Sequence, residues 1–137
     1  MAKSYLERTM ELFKKEEILI HKAEYYNAHG GNRVDLFGFI DAVAIHPFHG
    51  TIGVQACGQD WSEHIKKMTG PKREVLILWL ASGNRCYLIG WRKLKSTGWT
   101  PRIKEFTLEE DFPEITPEIL KRLRTAPKTA PEWLLEF

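Results

Sequence analysis

Asp41 and Gln55 are the residues whose placement most clearly points to chemistry. Asp41 lies in a run that is otherwise almost entirely apolar, Leu36 to Ile45. Gln55 sits near the end of the next apolar segment, Gly50-Thr-Ile-Gly-Val-Gln-Ala-Cys57. An ionised carboxylate among Phe, Ile, Val and Ala is costly to bury unless a cation or hydrogen-bond donors accompany it. An acid in one strand with an amide oxygen on its neighbour is one way to hold a hard cation, since magnesium (or manganese) takes oxygen ligands. Asp35, six residues before Asp41 and of the same side-chain parity, is a further candidate ligand. It reads equally well as a turn residue at a strand entry.

The elements that must position these groups follow from hydrophobic spacing. Ser4 to Lys15 has Leu6, Met10 and Phe13 at helical spacing, with Ser4 as cap and Glu7 three residues on. Ile18 to Tyr26 mixes β-branched and aromatic residues and reads as a strand, and the Gly pair after His29 as a loop. Leu36 to Ile45 and Thr51 to Ala56 read as two strands of a hairpin, turned at Pro47 and Gly50. Asp60, with Glu63 three residues later, has the form of a capping box opening a helix that ends at Gly70-Pro71. Val75 to Ala81 is a continuous apolar run, which predicts a strand covered on both faces. Cys86 to Lys93 and Trp99 to Phe106 read as two more strands, Thr116 to Arg124 as a short helix with Pro117 in its first turn. The apolar tail Trp133 to Phe137 is expected to dock on the body. A crossover after a hairpin implies an α/β fold with a mixed sheet flanked by helices.

At 137 residues the chain reads as a single domain, with a core of about residues 4–107 and a C-terminal helix and tail over 108–137. No apolar run approaches the length of a membrane span, and the N-terminus has no signal-peptide core. Two unclustered cysteines fit neither a disulfide framework nor a zinc template, so a cytoplasmic location is expected. The net charge of +2 hides an asymmetry. Between Trp61 and Lys104 ten Lys and Arg face only Glu63 and Glu74, a local balance of +8. A basic middle around an acid-bearing centre suits an enzyme that works on a polyanion. A solvated basic face balanced by acidic ends is the plainer reading.

This order of elements, with Asp41 in the second strand and Gln55 ending the third, resembles the PD-(D/E)xK nuclease superfamily, and within it the Holliday junction resolvase-like branch. Phe39 to Ile45 matches the first motif, with Asp41 in the acid's place and Ile40 where Pro is common. Val54-Gln55-Ala56-Cys57 matches the second, with Gln55 in the place of Asp or Glu and Cys57 in that of the Lys. The resemblance covers roughly residues 4–82. It implies a restriction-endonuclease-like fold and metal-dependent cleavage of DNA, branched DNA included, by a homodimer in many relatives. It also implies that Glu24 on the first strand could complete the oxygen set, an exposed strand acid being the competing reading, and that Glu11 matches a helical Glu of some resolvase-like members, against a plain helix-surface carboxylate. A thiol at 57 lacks the cation that the family's Lys supplies, so Lys67, Lys66 or Lys22 is expected to substitute. Without such a substitute, the chain reads as an impaired nuclease that binds nucleic acid or serves assembly; a third reading is a protein-interaction domain using the aromatic tail.

Arg33, Arg85, Arg92, Lys93, Lys95, Arg102 and Lys104 are candidate phosphate contacts, with Trp91 and Trp99 as possible stacking surfaces and His64 near the strand end that carries Gln55. For the aromatics core packing is the competing reading, and for Lys66 and Lys67 a solvated helix face, with Glu63 and Lys67 an i,i+4 pair. His46 and His49 read as turn residues. Cys57 reads as a small buried filler, with no His partner visible in the spacing.

Overall fold

A computed structural model describes residues 3–124 of the chain. The elements run α1 (Tyr5–Lys15), β1 (Leu19–Lys22), β2 (Tyr25–Asn27), β3 (Asn32–Val34), β4 (Ala42–His46), β5 (Gly50–Cys57), α2 (Trp61–Thr69), α3 (Arg73–Ala81), β6 (Arg85–Leu94), β7 (Gly98–Phe106), α4 (Leu108–Asp111) and α5 (Pro117–Arg124). Five strands form one mixed sheet in the order β1-β4-β5-β6-β7, and β2 with β3 forms a separate ribbon. Only β5 and β6 run parallel; every other pair is antiparallel. The α/β class and the mixed sheet are therefore as the sequence implies. None of the helices is long and apolar enough to cross a membrane among the described residues. The apolar tail lies outside the described residues.

Two cores form on opposite faces of the sheet, as strand alternation requires. On one, Phe13 of α1 packs with Ala42, Ala44, Ile52, Val54, Ile89 and Trp91. On the other, Met68, Leu76 and Leu80 of α2 and α3 pack with Ile40, Cys57, Leu88 and Phe106. Ser4 caps α1 through Glu7 N–H, as its spacing predicts. A buried polar contact pins α1 to the sheet: Trp91 Nε1–H donates to Thr9 Oγ1 at 2.9 Å, and that hydroxyl donates to Tyr5 O at 2.8 Å. Trp91 is thus a core residue, not a stacking surface.

The structure departs from the sequence reading in four places. Val75 to Ala81 is helix α3, not a strand. Leu76 and Leu80, four apart, face inward while Leu78 is exposed, a helical burial pattern that a short unbroken apolar run cannot distinguish from a strand. The parallel β5–β6 pair needs a long crossover, which α2 and α3 supply together. The second expected strand is shorter than Leu36 to Ile45. Phe37 at φ 55° and Gly38 at φ 78° turn the backbone left-handed, Leu36 bridges back to Ile40, and the strand begins only at Ala42. Ile18 to Tyr26 divides into β1 and β2, with the Gly-pair loop closing the β2–β3 ribbon. Asp60 does not cap α2 in the expected manner: its carboxylate accepts from Gly58 N–H and meets the His64 ring instead.

Gly90 is where the sheet admits α2. A Cβ there would run into the Trp61 ring, which lies directly on the strand backbone. Thr9→Val keeps the shape of that side chain but leaves the Trp91 N–H buried and unpaired. It is expected to cost about 1–3 kcal/mol in chemical denaturation, whereas the exposed control Thr97→Val should change stability little.

Candidate metal centre

The C-terminal ends of β1, β5 and β6 and the N-terminal end of β4 all lie at one end of the sheet, because Lys22 pairs with Ala42, Ala42 with Val54, and Cys57 with Gly90. Asp41 stands immediately before β4 at that end, not within the strand as expected. Its backbone continues the ladder, with N–H donating to Val54 O and C=O accepting from Ala23 and Glu24. Its side chain then takes over where the strand stops: Oδ2 accepts the Ala56 N–H at 2.8 Å. The carboxylate is thereby fixed against the Gln55–Ala56 peptide.

Glu24 comes from the link after β1, and Asp35 and Asp41 from the two ends of the link between β3 and β4. Their carboxylate oxygens lie within 4.8 Å of one another. Asp41 is 9% exposed. Burial pushes its carboxyl up to about 8, against the Ala56 N–H; a hydrogen bond with Asp35 and the charges of Asp35 and Glu24 add to the rise. Three carboxylates this close repel one another, and a proton on Asp41 or a bound cation relieves the repulsion. Part of the balance comes from bases at the rim, where Arg33 Nη1 lies 2.7 Å and Lys22 Nζ 3.6 Å from Glu24 Oε1.

Gln55 is 1% exposed, and neither its Oε1 nor its Nε2 has a hydrogen-bond partner. A buried primary amide with both ends unpaired is costly. It sits one peptide from the Asp41 anchor, on the strand face shared with Cys57. Three converging carboxylates, one of them a buried acid whose carboxyl burial pushes up, fit magnesium or manganese.

The other candidates divide by position. Arg33 and Lys22 join the acid cluster. Arg92 and Lys93 near the end of β6, and Lys95 in the β6–β7 turn, lie exposed at the same end of the sheet. Arg102 stands beside Gly90 on β7, its guanidinium 4.4 Å from the Trp61 ring. Arg85 lies at the opposite end of β6, paired with Glu105, and Lys104 pairs with Asp111. Trp99 is partly exposed and carries Arg8 at 4.3 Å. Lys66 is an exposed partner of Glu63, and among the described residues no ion pair joins Lys67 to a carboxylate. Glu11 binds Lys3 on the outer side of α1. His64 meets Asp60, and Cys57 has a His and an Asp near it after all.

The chain matches no known family model, no curated protein and no solved structure.

Because the Asp41 carboxyl is raised from 3.8 to about 8, the folded state keeps a proton that the unfolded chain releases in that interval. Without divalent cation, stability should therefore fall as pH rises from about 4 to about 8. Asp41→Asn should flatten that slope in urea titrations. It should also abolish the rise in melting temperature that magnesium or manganese gives the wild type at the upper end of the range.

Proposed function

We propose that this chain is a divalent-metal-dependent nuclease of restriction-endonuclease-like fold, hydrolysing phosphodiesters in DNA at the Glu24–Asp35–Asp41 cluster. The observation that carries this reading is the convergence of those three carboxylates at the end of a sheet where a helix, an antiparallel meander, a helical crossover and a parallel strand follow in order. That order is the one the nuclease resemblance implies, with β6 in place of the misread apolar run.

A magnesium or manganese ion held by these oxygens would supply Lewis acidity to the phosphoryl group and to a water. The chain's own residues divide the remaining work. Glu24, Asp35 and Asp41 provide charged oxygens, and Gln55, whose buried amide has no partner, would add a neutral donor. Lys22, at the rim of the cluster, serves in place of the ammonium missing at position 57 and steadies charge on the phosphate. Arg33, Tyr25 and Tyr26 line with Lys22 and Glu24 a pocket of about 200 Å³, which combines cations for a phosphate with exposed aromatic faces for a base. Arg92, Lys93, Lys95 and Arg102 extend the positive surface along the same end of the sheet and would hold the flanking backbone.

A second reading is favoured by one observation: Cys57, 2% exposed, offers a buried thiol where the resemblance calls for Lys. The fold would then bind nucleic acid, or serve assembly, without cutting it.

Incubation with supercoiled plasmid and with branched DNA, in magnesium and in manganese, separates the two. Cleavage by the wild type should stop with chelator and fall at least about 100-fold in Asp41→Asn and Glu24→Gln. Lys22→Ala should lower the rate by about 100-fold while binding is largely kept. Undiminished cutting by Asp41→Asn would remove the assignment. Salt-sensitive DNA binding with no cutting in either metal would establish the second reading.

A further inference from the structure

At the same end of the sheet, the last residue of β5 and the start of α2 assemble a different donor set. Cys57, Asp60 and His64 each offer a ligand atom, and these atoms lie within 4.8 Å of one another. We propose that Cys57, Asp60 and His64 form a second metal site, selective for zinc or a similar borderline transition-metal ion and separate from the carboxylate cluster.

The chemistry of the donors sets the selectivity. Glu24, Asp35 and Asp41 offer oxygen only, which suits hard cations; a thiolate, an imidazole and a carboxylate together suit zinc. The spacing is compact, Cys57 ending a strand and His64 one turn into a helix, so little chain must be ordered to close the site. Asp60 is already held, with Oδ1 accepting Gly58 N–H at 3.3 Å and Oδ2 lying 3.0 Å from His64 Nε2. Its carboxyl is held below the ordinary value: burial lifts it, but the His64 ring and the Gly58 N–H outweigh that. His64 Nδ1 is buried and has no hydrogen-bond partner.

An Asp–His pair at a helix start with a cysteine as core filler accounts for the 3.0 Å contact. A metal in place of the proton shared by Asp60 and His64 would bring Cys57, whose ligand atom lies within 4.8 Å of both, into use as the third donor. A metal at this site would displace the Cys57 thiol proton on binding. Thiolate and carboxylate would then balance a divalent charge, with Arg102 close enough to act on the thiol.

Cobalt(II) titration of the metal-free, reduced full-length protein tests this. One equivalent should produce a thiolate-to-cobalt charge-transfer band and tetrahedral visible bands, displaced by one equivalent of zinc. Cys57→Ser should abolish the charge-transfer band, and His64→Ala should weaken zinc binding at least about tenfold. His64 is partly exposed, so that variant decides the matter where Cys57→Ser does not fold, as followed by circular dichroism. Asp41→Asn and Cys86→Ser should keep the band, which makes failure here distinguishable from failure of the cleavage site. A wild-type spectrum without the thiolate band, a band lost with Cys86 in place of Cys57, or unchanged zinc affinity in His64→Ala would overturn the proposal.

Discussion

The hydrogen bond from Ala56 N–H to Asp41 Oδ2 is the contact around which this end of the molecule is organised. β4 begins only at Ala42, so the inner strand β5 would otherwise present an unpaired backbone donor where its neighbour stops. The Asp41 side chain replaces that missing neighbour. In doing so it brings a carboxyl into an apolar setting and fixes it where the links after β1 and β3 deliver two more acids. The satisfied backbone donor and the crowded carboxylates are one arrangement. Structure and electrostatics therefore respond together to a proton or a cation at Asp41.

The parallel pairing of β5 and β6 extends this to the rest of the sheet end. Had the two strands run antiparallel, the β6–β7 turn would lie far from the acids. With the helical crossover, Arg92, Lys93 and Lys95 emerge past the end of the neighbouring β5, at the sheet end where β1 also finishes, and α2 begins there too, carrying His64. Trp61 meets the sheet at Gly90 and supports Arg102 above its ring. Two sets of metal-capable donors of different softness thus lie on one strand's exit, one fed by long-range segments and one by a short connection.

Packing around this end divides into two faces that are held differently. α1 is fastened by apolar side chains and by the Trp91–Thr9–Tyr5 chain of hydrogen bonds. α2 and α3 are held by apolar contact, by the close approach at Gly90 and by Trp79 Nε1–H donating to Arg85 O of β6 at 2.7 Å. Gln55 is the exception within that second face, a buried amide whose hydrogen-bonding capacity is unused. Such a group either costs stability outright or has a partner that arrives from solution.

Local patterns in the sequence were sufficient for α1, α2, β6, β7 and the hairpin of β4 and β5, because each carries its own periodicity or turn residues. They also singled out Asp41, Asp35, Glu24 and Arg33, since acids near apolar runs and a base after a glycine turn stand out in one dimension. What α3 would be was not decided locally: seven apolar residues satisfy strand and helix alike, and only the crossover between parallel strands resolves them. The hairpin at Tyr25 to Val34 and the left-handed turn at Phe37 and Gly38 likewise depend on what the sheet leaves uncovered. The partnership of Cys57 with Asp60 and His64 escaped the zinc templates because its donors straddle a strand end and a helix start. The sequence by itself determined which residues carry charge and which segments seek burial; the tertiary structure alone decided that three acids share one point and that Lys22, not Lys67, stands beside them. The reason is that side-chain chemistry is a local property, whereas proximity depends on strand pairing between segments far apart in the chain.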